Sequence, residues 1–165
     1  MRKVISKTVN SESVQPALGY ASRFQELAVY KKARRLAREV FLVSRCFPPE
    51  EKFSLTDQLR RASRAIGAQI AEAWAKRRYE KHFVSKLTDA DGEQLETQHW
   101  LTTAFDCGYL PEAETRRLGE LCLEVGRMLG EMMTKADQFC QPIDSQLREP
   151  EVEFGAKDAA WLTDN

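Results

Sequence analysis

The chain has 165 residues, 42% of them hydrophobic and 30% charged, which suffices for one compact core and falls short of two ordinary domains. No stretch approaches the roughly 20 consecutive apolar residues of a membrane helix, and the opening Met1-Arg2-Lys3-Val4-Ile5-Ser6 lacks the apolar centre of an export signal, so the expectation is a cytoplasmic protein with no membrane partner. The 25 Lys/Arg and 25 Asp/Glu cancel overall, yet residues 1–86 hold 19 basic against 8 acidic residues and residues 87–165 hold 6 against 17, giving halves of +11 and −11.

Residues 1–22 mix Ser, Thr, Gln, Pro and Gly without periodicity and read as a flexible N-terminal arm. A helical domain is expected over 23–140. Its first helix starts near Phe24, and Val29, Ala33, Leu36, Val40, Val43 and Phe47 recur at steps of four and three, the spacing of one helical stripe. The opposite side is basic, with Lys31, Arg34, Arg35 and Arg38 at i, i+3, i+4 and i+7. Pro48 and Pro49 stop this helix because neither ring can continue the hydrogen-bond ladder. A second helix is expected to open at Ser54, with Asp57 three residues on in a variant of the capping box. Leu55, Leu59, Ala62, Ile66, Ile70 and Ala73 form its apolar stripe, while Arg60, Arg61 and Arg64 extend the basic strip. Its many small residues, Ala68 and Ala71 among them, admit a close neighbour, either a packed helix or a second subunit.

The run Ala73–Lys81 contains no Gly or Pro, so local sequence alone would let helix two continue. A single helix from Leu55 to Cys107 would be about 80 Å long, too long for a compact domain of this size, which places a tight turn near Arg77–Glu80. Phe83, Leu87, Ala90, Leu95, Leu101, Ala104 and Phe105 carry helix three, and Gly108 reads as its left-handed terminator. Asp91, Gln94 and Gln98 stand where a bundle normally buries aliphatic side chains, so they meet either another subunit or a wet seam inside. Pro111 suits the first turn of helix four, whose stripe is Leu118, Leu121, Val125, Met128, Met132, Ala136 and Phe139. Gly126 and Gly130 resemble a close-approach pair. Residues 141–165 form an acidic C-terminal tail, with Phe154, Trp161 and Leu162 as its large apolar groups. The fold class expected is therefore all-α, an up-down antiparallel four-helix bundle.

No catalytic constellation stands out. A di-iron bundle needs two Glu-x-x-His pairs, and Glu96-x-x-His99 has no second, since Tyr79 stands three residues before His82. Phosphate-loop and strand-to-helix nucleophile motifs are absent. Cys46, Cys107, Cys122 and Cys140 show no paired spacing for zinc and read as reduced and buried. Neither an enzyme nor a metal or other cofactor is expected. What remains is the basic surface, Lys31, Arg34, Arg35, Arg38, Arg60, Arg61, Arg64, Lys76, Arg77 and Arg78, of the kind that binds nucleic acid by releasing phosphate counterions. The same charges also serve a simpler end, attraction between helices one and two and helices three and four.

The stretches Phe24-x-x-Leu27-x-Val29-Tyr30, Phe47-Pro48-x-x-Glu51, Leu55-x-x-Gln58-Leu59-Arg60-Arg61-Ala62-Ser63, Ile66 and Ile70-Ala71-Glu72 resemble the bacterial 23S rRNA intervening-sequence proteins. The run Lys76-Arg77-Arg78-Tyr79, Phe83–Leu87, Asp89–Glu93, Glu96–Leu101 and Gly108-Tyr109-Leu110 looks like one branch of that family. Where members usually show Asn-Ile-Ala-Glu-Gly, this chain has Gln69-Ile70-Ala71-Glu72-Ala73. The resemblance implies an up-down bundle assembled as a ring-like homopentamer; distant relatives accompany reverse transcriptases of diversity-generating retroelements. On residues and resemblance together, the expected function is a non-enzymatic homo-oligomeric scaffold that binds RNA or a nucleic acid–protein complex through the basic face. Ala68, Ala71, Asp91, Gln94 and Gln98 are the expected subunit-interface residues. The alternative is a protein-interaction adaptor with no nucleic-acid role.

Overall fold

The computed structural model describes residues 21–140, and within them all regular structure is helical: α1 (Ala28–Val43), α2 (Asp57–Lys76), α3 (Glu80–Asp106), α4 (Glu112–Thr134) and the single turn α5 (Ala136–Phe139). The acidic tail and all but the last two residues of the N-terminal arm lie outside this range. A 3₁₀ turn at Phe24–Glu26 precedes α1, so the α-helix proper starts four residues after Phe24.

Between α1 and α2 the chain winds through a 3₁₀ turn at Pro49–Glu51 and a wide π turn at Lys52–Thr56. This corrects the expected cap. Ser54 Oγ donates to the Glu51 carboxylate, and no side chain caps α2. The reason is that the backbone is already coiled from Pro49 onward, so the amides a cap would satisfy are inside helical turns.

Helix α2 ends without Gly or Pro because Arg77 closes it: its Nη1 donates to the Trp74 carbonyl at 2.7 Å and its guanidinium lies 4.3 Å from the Trp74 ring. Tyr79, extended at φ −123° and ψ 108°, then turns the chain into α3. At the far end of α3 the amides of Gly108 and Tyr109 donate to the carbonyls of Phe105 and Ala104 at 2.8 and 2.9 Å, a Schellman closure. Gly108 has φ +75°, where a Cβ would be strained.

Helix α1 packs on α2 and α4, α2 on α3, and α3 on α4. Leu36, Leu59, Ile66, Ile70, Phe83, Leu87, Leu101, Leu118 and Leu129 are fully buried between them, each adding roughly 1.5–3 kcal/mol by leaving water. In α3 the buried run is Phe83, Leu87, Ala90, Gln94, Thr97, Leu101 and Ala104, an unbroken alternation of four and three. Leu95 and Phe105, expected in that stripe, stand one residue out of phase and are exposed, Leu95 by 57%. The polar Gln94 and Thr97 occupy the core register because position, and not polarity, decides which side faces inward.

The cysteine expectation also needs correction. All four thiols are free, but only Cys122 is buried, its pKa pushed up to about 12 by desolvation. Cys46 and Cys107 are exposed because they lie in the closing turns after α1 and α3, past the core stripes. Among the described residues no helix is long and apolar enough to cross a membrane.

Candidate nucleic-acid interface

Helix α1 turns Val29, Ala33, Leu36 and Val40 inward, and its period therefore sends Lys31, Arg34, Arg35 and Arg38 to solvent. Helix α2 does the same with Arg61 and Arg64. Arg60 is half-buried between the two helices: its Nε donates to Ser44 Oγ at 2.7 Å, and its guanidinium lies 4.9 Å from the Phe41 ring. Arg64 reaches the same ring at 6.0 Å. Lys76 and Arg78 are exposed at the end of α2, beside Arg77.

Two of these ten cations have carboxylate partners, and both partners lie on the cation's own helix: Arg35 with Glu39 at 2.7 Å and Arg61 with Asp57 at 3.8 Å. None of the ten pairs with a described carboxylate of α3 or α4. The expected attraction of the basic helices for the acidic ones is carried by Lys32 with Glu124. In the other two interhelical pairs, Glu39 with Arg117 and Glu72 with Lys86 (3.0 Å), the acid lies on α1 or α2 and the base on α4 or α3. The physical reason is position: these three pairs bridge neighbouring helices, whereas Lys31, Arg34, Arg38, Arg64, Lys76 and Arg78 are exposed with no described carboxylate within ion-pair distance.

The paired carboxyls show their surroundings. Partial burial works to raise the Glu39 pKa, but hydrogen bonds from Arg117 and Arg35 outweigh it and hold the group below the usual range. Lys32 holds Glu124 down in the same way. Glu93 moves upward, through desolvation and then the nearby charges of Glu96 and Asp89, with Arg61 opposing.

The expected interface residues divide. Ala68 is exposed, and Ala71, Asp91 and Gln98 are half-buried. Gln94 is only 2% exposed and sits in the chain's own α3–α4 packing, where a Cβ added to Gly126 would stand 3.0 Å from Gln94 Oε1 and 3.5 Å from Asp91 Oδ1. Gly126 is thus a close-approach position, whereas Gly130 faces open space. The side-chain nitrogens of Gln94 and Gln98 are buried with no hydrogen-bond partner among the described residues. An orphaned buried amide costs about 1–3 kcal/mol, so Gln94→Met, nearly equal in volume, is expected to stabilise the protein by about 1–2 kcal/mol in urea unfolding. A loss of stability would mean that the amide has a partner in solution.

Sequence reading alone missed the aromatic platforms under the arginines. Phe41 lies one position off the buried stripe of α1, three residues after Arg38, and Trp74 lies three before Arg77. The second spacing, one helical turn, was the available signal. Elsewhere, Glu96 accepts a hydrogen bond from Trp100 Nε1 at 2.9 Å, and the described residues contain no group of three or more His, Cys, Asp or Glu able to hold a metal.

These features define a protein whose described residues are all-helical in their regular structure, with a dense cationic surface on the first two long helices. Residues 25–131 match the family model of the 23S rRNA-intervening sequence protein, and the chain belongs to that family. Among solved structures it is similar to a protein with unknown function from the S23 ribosomal protein family of Bacteroides thetaiotaomicron VPI-5482. The two share 24% identity at a TM-score of 0.59, over 64% of this chain and 95% of that one, a likeness of fold. No curated protein matches.

Proposed function

We propose that α1 to α4 form an up-down antiparallel bundle that assembles in the cytoplasm as a homo-oligomer, a ring-like pentamer as the family resemblance implies. On this reading the assembly is a non-enzymatic scaffold that engages RNA, alone or within an RNA–protein complex, through the basic face of α1 and α2. The observation that carries the reading is the state of the cations: Lys31, Arg34, Arg38, Arg64, Lys76 and Arg78 are exposed and have no ion-pair partner among the described residues. Charges spent on pairing within the helices would leave nothing for a polyanion; no described carboxylate pairs with these six. Arg60 and Arg64 over Phe41, and Arg77 over Trp74, add flat apolar surface beside the charge, the combination on which single-stranded bases stack.

Binding of a fluorescent mixed-sequence single-stranded RNA across a salt series tests this. If all six cations met phosphates, the slope of log Kobs against log salt would be about −4, at roughly 0.7 per contact. The expected slope lies between about −2 and −4. Absence of affinity at low salt, or affinity indifferent to salt, would remove the RNA reading and leave the protein-interaction adaptor.

A further inference from the structure

Between α1 and α2 runs a groove with small and aromatic residues on its floor, Tyr30, Ala37, Gly67 and Ala71, and with Arg34 and Arg64 on its margins. One end opens at Phe24 and Ala71, six residues before Arg77 on α2. The described chain finishes at that same end. Phe139 stacks on Phe83 at 5.9 Å, and Cys140 lies within electrostatic reach of Arg77 and Glu80. The 25 residues that follow carry six acidic side chains against Arg148 and Lys157, with Phe154, Trp161 and Leu162 set among them.

Charge and reach agree. From Arg77 back to Arg64 is about 20 Å along α2 at about 1.5 Å per residue. Nine residues of chain can span at most about 30 Å, so a segment leaving Cys140 is long enough for Glu149, Glu151 and Glu153 to reach the arginines. The Tyr30 ring already lies against Gly67, so an incoming aromatic ring finds its room beside Tyr30 over Ala37 and Ala71, and the flanking guanidiniums bind carboxylates.

We propose that the acidic segment 141–165 docks in the α1–α2 groove of its own chain, with carboxylates on Arg34 and Arg64 and an aromatic ring on the floor between them. The segment then competes with any polyanion for the same cations. That competition rests on the RNA reading above; the docking itself does not.

The test uses the full chain. Zero-length carbodiimide cross-linking joins carboxylates to amines in contact, and Lys31 lies one turn before Arg34 while Lys76 lies five residues past Ala71 on α2, on the path from Cys140 to the groove. On ordinary and ¹⁵N-labelled protein unfolded, mixed in equal amounts and refolded together, a link from Glu149, Glu151 or Glu153 to Lys31 or Lys76 without mixed-label product is expected, and it should fade at high salt. No such link, or a link in which mixed-label pairs appear in the statistical proportion for two separate chains, overturns the docking. In parallel, the variant E149Q/E151Q/E153Q is titrated with a single-stranded 12-mer RNA at low salt. If the groove is about nine-tenths occupied, freeing it raises affinity about tenfold. An intrachain link with unchanged RNA affinity overturns the competition. If neither protein binds the 12-mer, the RNA reading falls and the cross-link alone decides the docking.

Discussion

Phe83→Ala is expected to lower the unfolding free energy by about 3–5 kcal/mol, the range for removing a large aromatic side chain from a packed core. Phe83 has 0% exposure and stacks on Phe139 at 5.9 Å, so it both anchors the start of α3 and seats α5. Helix α5 is only four residues long, far too short to hold itself by backbone hydrogen bonds. Its place therefore depends on this contact, and the cavity has little chance of closing without displacing it. Domains of this size are stable by about 5–15 kcal/mol in all, so the loss is a large fraction. Urea unfolding at fixed protein concentration measures it, and Phe53→Ala is the control: Phe53 is 77% exposed and its loss should fall within about 0.5 kcal/mol of zero. If Phe83→Ala behaved like Phe53→Ala, the packing of α5 on α3 would be wrong.

The double substitution Lys31→Gln with Arg38→Gln is expected to leave stability nearly unchanged and to weaken RNA binding strongly. Both side chains are exposed, and neither makes an ion pair or hydrogen bond with a described residue. Gln keeps good helix propensity, so folding should register almost nothing. If each cation meets one phosphate, the salt slope flattens by about 1.4, which corresponds to roughly sixtyfold weaker binding at about 50 mM salt and roughly tenfold at about 200 mM. The salt dependence is the informative part, because a structural defect would lower affinity equally at every salt concentration. Unchanged affinity and slope would exclude the outer strip of α1 from any RNA contact. A drop in solution mass relative to the unsubstituted protein in light scattering would instead assign these two residues to assembly.

The alternation of four and three along Val29, Ala33, Leu36 and Val40, and again along Leu118, Leu121 and Val125, was legible without coordinates, because helix period is a property of local chain geometry. The same period placed Lys31, Arg34, Arg35 and Arg38 outside. Gly108 could be read as a terminator for an equally local reason, the ease with which glycine enters the left-handed region.

The tertiary structure decided what depends on neighbours distant in sequence. That Gln94 belongs inside while Leu95 does not follows from the phase that α2 and α4 impose on α3. How α2 stops at Arg77 follows from a side chain folding back onto Trp74, which no turn motif announces. Which of the basic residues find carboxylates was also settled only by packing. Charge counts report sums over the chain, whereas an ion pair requires two side chains within about 4 Å, and the helix positions leave Arg34, Arg38, Arg64 and Arg78 with no described carboxylate at that distance. The amino-acid sequence by itself therefore determined that this protein is helical and which surface is cationic. Only the assembled helices determined that most of these cations have no carboxylate partner among the described residues, because that depends on distances between segments and not on the order of residues within them.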